Sequence, residues 1–187
     1  MKDVLRLHIP SNIKYTRLVE DFTRSTMESI YPDDEQIRHK LCAVMNEVFV
    51  NIVEHSDTSS IDELVRIQFE IGDSAFMISI FDFGPGIKIN NTLPPYDKKY
   101  IGKKYEFRTV VDGIVYATVV NPYSISFTFE AHPDPESLQF NRMDEIEFLQ
   151  GHGLGVSIMT KIMDSVTYSF IGEGKYDWLM VKSFNAD

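Results

Sequence analysis

Polar side chains recur at helical spacing in residues 47–55. At 100° per residue, four of them share one arc beside an apolar stripe: Glu47, Asn51, Glu54 and His55. Four polar groups would be costly in a packed core, so this arc faces either solvent or a cleft. A carboxylate and a carboxamide one turn apart can hold a water and a divalent cation, and Mg²⁺ takes such sparse oxygen ligands. Taken alone, the helix favours the solvated edge.

A second polar motif, Asp82-Phe-Gly84-Pro-Gly86, follows an apolar stretch with strand character. Glycines let the backbone turn sharply and approach a flat ring closely. The Asp82 carboxylate can accept a hydrogen bond from an exocyclic amino group such as that of adenine. Taken alone, this motif is better explained as a turn that ends a strand.

A third motif, Gly151-His-Gly153-Leu154-Gly155, precedes a predicted helix. Glycines at a helix N-terminus expose N–H groups to an anion, with the helix dipole aligned to help. The run alone also fits a flexible loop. It is not a dinucleotide fingerprint, because no convincing first strand of a βαβ unit precedes it.

The elements around these motifs predict the order β, α, α, β, β, insertion, α, β, β. A strand at 3–9 is followed by a helix that Ser11 caps, and by a second helix that opens at 32–35. Gly72-Asp73 predicts the turn of a hairpin, and Gly172-Glu-Gly174 joins two last strands at 166–171 and 178–184. This order indicates an α/β sandwich with the helices on one sheet face. Trp178 is predicted to be a packing residue.

Composition and charge set wider limits. The chain has 187 residues and a net charge of −10, which predicts one domain and argues against direct nucleic-acid binding. The single cysteine, Cys42, excludes an internal disulfide and fits a reducing compartment. No apolar run reaches the ~20 residues that span a bilayer, and the N-terminus has no signal-peptide core. We therefore expect a cytoplasmic protein with no membrane partner.

The three motifs, in this order, resemble those of the GHKL ATPase family, which includes histidine-kinase catalytic domains, type II topoisomerases and anti-sigma factor serine kinases. The first motif matches the N-box through Glu47, Asn51 and His55. The other two match the glycine boxes through the following residues: Asp82, Gly84, Gly86, Gly151, Gly153, Leu154 and Gly155.

The resemblance implies a single Bergerat-type ATP-binding domain over residues 1–187, a two-layer sandwich of a mixed sheet with helices on one face. It implies ATP and Mg²⁺ as cofactors. Asn51 would ligate Mg²⁺, Asp82 would read the adenine amino group, and Glu47 would be the general base. The glycines after Gln150 would hold the phosphates.

The small size and the strand–helix start are most similar to the anti-sigma factor kinase branch. This implies transfer of the ATP γ-phosphate to Ser or Thr of an antagonist protein, and binding of a sigma factor. A non-catalytic ATP-dependent binding module and an orphan histidine-kinase-type catalytic domain stay open as alternatives. Metal-dependent hydrolysis unrelated to ATP is less favoured, since no ligand cluster supports it.

The chain departs from that branch in the segment between the glycine boxes, which is usually a short ATP lid. Here an insertion runs over about 88–149, and its alternating apolar residues predict β-structure with a hairpin turn at 111–114. Its lysines, Lys98, Lys99, Lys103 and Lys104, predict a solvated basic loop more than a triphosphate contact. The insertion could serve as a docking or homodimer surface.

Overall fold

The computed structural model describes residues 3–55, 64–132 and 154–184. In these residues, one eight-stranded sheet has the order β1-β2-β3-β8-β7-β6-β5-β4. The strands are β1 Asp3–Pro10, β2 Leu64–Ile71, β3 Ala75–Asp82, β4 Lys104–Val110, β5 Gly113–Asn121, β6 Ser124–Ala131, β7 Ser165–Gly172 and β8 Lys175–Ser183.

Every neighbouring pair of described strands is antiparallel, so the predicted mixed sheet is wrong. For four of these seven pairs, the reason lies in the connections. Short turns join β2 to β3, β4 to β5, β5 to β6 and β7 to β8, and a short turn can join only antiparallel strands.

Among the described residues, three α-helices accompany the sheet: α1 Thr16–Ile30, α2 Glu35–His55 and α3 Leu154–Ile162. The Asp34 carboxylate accepts a hydrogen bond from the Ile37 N–H at 2.9 Å, which caps the start of α2. The predicted Ser11 cap is replaced by Asn12, whose side chain caps a short 3₁₀ helix, Ile13–Tyr15, before α1 begins. None of the described helices combines the length and apolar character needed to cross a membrane.

The core lies between the helices and one face of the sheet. The apolar stripe of α2 is buried as its period predicts, through Leu41, Val44, Met45, Val48, Phe49 and Ile52. From α1, the Phe22 ring lies 5.5 Å from that of Phe69 on β2. Alternate residues of β2 and β3 are buried, as expected for strands with one covered face.

The described part of the insertion confirms the predicted β-structure. Strands β4, β5 and β6 extend the sheet beyond β7, with Phe127 of β6 paired to Val166 of β7. The turn from β4 to β5 consists of Val111 and Asp112, one residue earlier than predicted, because Gly113 already pairs with Val110. A Cβ on Gly113 would lie 2.2 Å from the Glu130 carbonyl oxygen, so this glycine permits close strand approach rather than the turn.

Candidate nucleotide-binding site

A pocket of about 260 Å³ lies where α2, α3, the end of β3 and strands β4, β7 and β8 meet. Its volume is slightly below the ~300–1,000 Å³ range of common small-molecule sites. The pocket is mainly apolar, with three side chains that carry charge or a carboxamide. It is lined by Val48, Asn51, Ile52, Asp82, Gly84, Pro85, Gly86, Ile87, Phe107, Arg108, Val156, Met159, Tyr168 and Trp178.

Asp82 is the last residue of β3 and is almost fully buried, with 5% of its surface exposed. Its Oδ1 accepts a hydrogen bond from the Gly84 N–H at 3.2 Å, and the Trp178 side chain, a donor only, hydrogen-bonds to the same carboxylate. Burial raises the pKa of Asp82 from 3.8 to about 6, although both hydrogen bonds act in the opposite direction. A carboxylate held in an apolar pocket selects a ligand that can donate a hydrogen bond.

The two glycines of the second motif have different physical reasons to be glycine. Gly86 has φ +78°, and a Cβ there would lie 2.1 Å from the Tyr176 hydroxyl oxygen. A Cβ on Gly84 would meet nothing closer than Asp82 Oδ1 at 3.5 Å. The fold therefore requires a glycine at Gly86. At Gly84 the fold leaves room for a Cβ, so the reason for this glycine lies in the pocket that it lines.

The start of α3 packs directly against the polar arc of α2. A Cβ on Gly155 would lie 2.5 Å from Glu47 Cγ and 2.7 Å from Asn51 Nδ2. The last glycine of the third motif thus meets the first motif, and Asn51 also lines the pocket with Asp82. Glu47 is half-buried and lies beside the pocket, outside its lining.

Four of the predicted site residues line the pocket, namely Asn51, Asp82, Gly84 and Gly86, and Gly155 lies beside it against Asn51 and Glu47. Gly151 and Gly153 lie outside the described residues, as do the side chains of His55 and Leu154. Glu54, which shares the polar arc in sequence, is exposed.

Sequence reasoning missed the aromatic part of the lining. Trp178 was expected only to pack, yet it lines the pocket and contacts the Asp82 carboxylate. Its ring lies 4.5 Å from that of Tyr168, another lining residue. No local sequence signal places it there, because its position comes from strand register: Trp178 pairs with Ile80, two residues before Asp82, and so shares its sheet face.

The lysines of the insertion support the solvated-loop prediction. Lys99 and Asp97 form an ion pair at 3.2 Å, and Lys104 pairs with Glu130. All four lysines are exposed, and none lines the pocket.

A family comparison bears directly on this geometry. Residues 9–180 match the model of the histidine kinase-like ATPase domain. The chain belongs to this family. A comparison with curated proteins finds no match. Membership implies ATP binding and an ATP-dependent, kinase-like activity.

Mg²⁺ is typical of such ATPases, and the residues around Gly155 fit it. A Cβ on Gly155 would meet Asn51 Nδ2 and Glu47 Cγ, so the two side chains lie side by side there, and they would offer Mg²⁺ a carboxamide oxygen and a carboxylate. Mg²⁺ is commonly bound by one or two protein ligands, several waters and substrate phosphates, so a sparse donor set suits it. Asn51 would hold it, since its side chain also lines the pocket.

Proposed function

We propose that this ATPase domain acts as a regulatory Ser/Thr protein kinase of the anti-sigma factor type. It would bind ATP in the described pocket and transfer the γ-phosphate to a hydroxyl of an antagonist protein. The observation that carries the proposal is the meeting of Asn51, Asp82 and Gly155 around one pocket. The assignment to the anti-sigma branch rests on sequence resemblance, and so do its partners, a sigma factor and an antagonist.

Each residue has a stated task in this proposal. Asp82 accepts a hydrogen bond from the adenine amino group, and Trp178 holds the carboxylate in place. Because Gly155 has no side chain, the start of α3 packs directly on Asn51 and Glu47, and its backbone N–H groups would hold the phosphates there. Mg²⁺ at Asn51 would neutralise charge on the phosphate oxygens.

Glu47 would act on the acceptor hydroxyl. Its carboxylate takes the hydroxyl proton as the oxygen bonds to the γ-phosphorus and the bond from phosphorus to the β,γ-bridging oxygen breaks, which releases ADP. General-base catalysis of this kind contributes about 10²–10⁴-fold. Glu47 lies one helical turn from Asn51, which suits this role.

The decisive experiment is Mg-ATP binding by calorimetry and thermal unfolding, for wild type and Asp82→Asn. Ligand at a hundredfold excess over its Kd should stabilise wild type by ~2.7 kcal/mol. Asp82→Asn should lose this stabilisation. A carboxamide has only one oxygen that can accept a hydrogen bond from the adenine amino group, whereas the carboxylate has two. Asp177→Asn is the matched control: Asp177 is a neighbouring carboxyl of β8 that pairs with Phe81 and lies outside the pocket lining. Equal ATP affinity in all three proteins would remove Asp82 from the site.

A second function is favoured by two observations. The inserted strand β4 contributes two residues to the pocket, where a short lid would otherwise be expected, and Glu47 lies outside the lining. Both fit a module that binds ATP and changes partner affinity without catalysis.

Transfer of label from γ-labelled ATP to proteins of a cell extract distinguishes these functions. The kinase proposal expects acid-stable label, as for phosphoserine or phosphothreonine, lost in Glu47→Gln and kept in the exposed Glu54→Gln control. Acid-labile label would favour the histidine-kinase alternative. ATP binding without transfer would favour the binding module.

A further inference from the structure

The inserted strand β4 is irregular where it borders the pocket. Its pairing with β5 runs from Tyr105 opposite Ala117 to Glu106 opposite Tyr116, and then shifts so that Arg108 lies opposite Val115. Phe107 is left without a partner in this ladder, as in a β-bulge. A bulge inserts one residue, bends the strand and redirects side chains.

The bulge places two consecutive side chains on the same sheet face. Arg108 pairs with Val115, which is fully buried on the helix-covered face. Phe107 lies with its ring 5.0 Å from that of Phe127, which pairs with the buried Ala117 on that face. Successive residues of a regular strand point to opposite faces, so only the bulge lets both Phe107 and Arg108 line the pocket.

Phe107 connects this wall to the Asp82 end of the pocket through ring contacts. Phe127 stacks on Trp178 with ring centroids 5.7 Å apart, and Trp178 hydrogen-bonds to Asp82. These ring contacts connect β4 to the carboxylate by way of β6 and β8.

Arg108 adds a positive charge to the pocket. Among the described residues that line it, Arg108 is the only basic one, in a chain with a net charge of −10. A guanidinium remains charged at all relevant pH values and can donate two parallel hydrogen bonds to a phosphate. Asp82 and Asn51, the other polar lining side chains, give the pocket no positive charge.

We infer that the β4 bulge makes Arg108 a phosphate-binding residue of the nucleotide pocket, supplied by a fixed strand of the insertion. This inference rests on the proposed ATP binding. It adds that strand β4 of the insertion contacts the phosphates of the ligand. The exposed lysines of the same segment do not share this role, since none lines the pocket.

The test is calorimetric titration of the full chain with Mg-ATP and with adenosine, which has the base and sugar but no phosphate. The variants are Arg108→Gln and the control Lys103→Gln, which removes the same charge from an exposed site of the insertion. If the Arg108 guanidinium donates hydrogen bonds to the phosphates, ATP should bind to Arg108→Gln about 10- to 100-fold more weakly than to wild type. Adenosine affinity should stay within about twofold of wild type, and Lys103→Gln should match wild type for both ligands.

Three results would overturn the inference while leaving ATP binding intact. They are unchanged ATP affinity in Arg108→Gln, an equal loss for ATP and adenosine, and an equal loss in Lys103→Gln. A wild type that binds neither ligand overturns the proposed function, and the inference with it. If Arg108→Gln does not fold, Arg108→Lys takes its place: a several-fold loss for ATP alone supports the inference, and wild-type affinity contradicts it.

Discussion

The pocket has two walls, and different structural features form them. One wall consists of motif residues on α2, β3 and α3, where Gly86 and Gly155 leave no room for a Cβ. The other is strand β4 of the insertion, where a shift in strand register brings Phe107 and Arg108 to the pocket. The motif wall depends on which residues are present, and the inserted wall depends on how strands pair.

The two walls are nevertheless physically connected. Helix α3 packs against α2 on one side and against β5, β6 and β7 on the other. Lys161 at its end donates to both carboxylate oxygens of Asp112, in the β4–β5 turn, at 2.7 and 2.8 Å. We therefore expect the insertion and the motif wall to unfold together.

The largest effect is expected in the insertion. Gly113→Ala would place a Cβ 2.2 Å from the Glu130 carbonyl oxygen, and a backbone atom inside a sheet cannot move aside cheaply. Overpacking of this kind should cost about 3 kcal/mol of unfolding free energy. Thermal unfolding followed by far-UV circular dichroism and by Trp178 fluorescence should show a lowered Tm in one transition. Two separate transitions would mean that the insertion folds independently of the motif wall.

A somewhat smaller effect is expected in the motif wall, from a pair of glycines two residues apart. Gly86→Ala combines a positive φ with a clash against Tyr176 and should cost about 2 kcal/mol. Gly84→Ala should leave stability within ~0.5 kcal/mol, since its Cβ meets only ordinary contacts. Urea unfolding measures both. Loss of Mg-ATP affinity in the stable Gly84→Ala would show that Gly84 is glycine for the ligand; equal destabilisation by the two variants would contradict this account of the motif.

The smallest effect concerns buried carboxyls and depends on pH. Burial raises the pKa of Asp177 from 3.8 to about 6, and its Oδ1 has no hydrogen-bond partner among the described atoms. The folded chain then holds a proton that the unfolded chain has lost, so this group lowers stability as pH rises from about 4 to 6. Because Asp177 is only half-buried, solvent screening reduces the cost to about 1–2 kcal/mol at pH 7.

Asp177→Asn should therefore be more stable than wild type by that amount at pH 7 and equal to it at pH 4, as measured by urea unfolding. The matched carboxyl of the insertion is Asp112, which is paired with Lys161 near the surface. Asp112→Asn should lower the free energy of unfolding by at most ~1 kcal/mol at pH 7. A loss of stability in Asp177→Asn at pH 7 would show that the carboxylate has a favourable partner.

Much of the fold could be predicted because local signals agreed with the tertiary structure. The apolar period of α2, the Gly72 hairpin and the alternation of Ile125 and Phe127 each gave the correct element. The predicted mixed sheet failed because it came from family resemblance, whereas short turns in the chain itself require antiparallel neighbours. Strand β8 begins at Lys175, three residues earlier than predicted, because pairing with β3 and β7 extends it.

The sequence by itself predicted Asn51, Asp82, Gly84, Gly86 and Gly155 as site residues, because polar side chains and glycines are properties of residue type and the order of the three motifs resembles a known family. Only the tertiary structure places Trp178, Phe107 and Arg108 in the pocket lining. Each of these has an ordinary local pattern, and its position depends on which strand it pairs with and in which register. Register is set by long-range pairing across the sheet, with a one-residue shift moving a side chain to the other face, so no local pattern could place them.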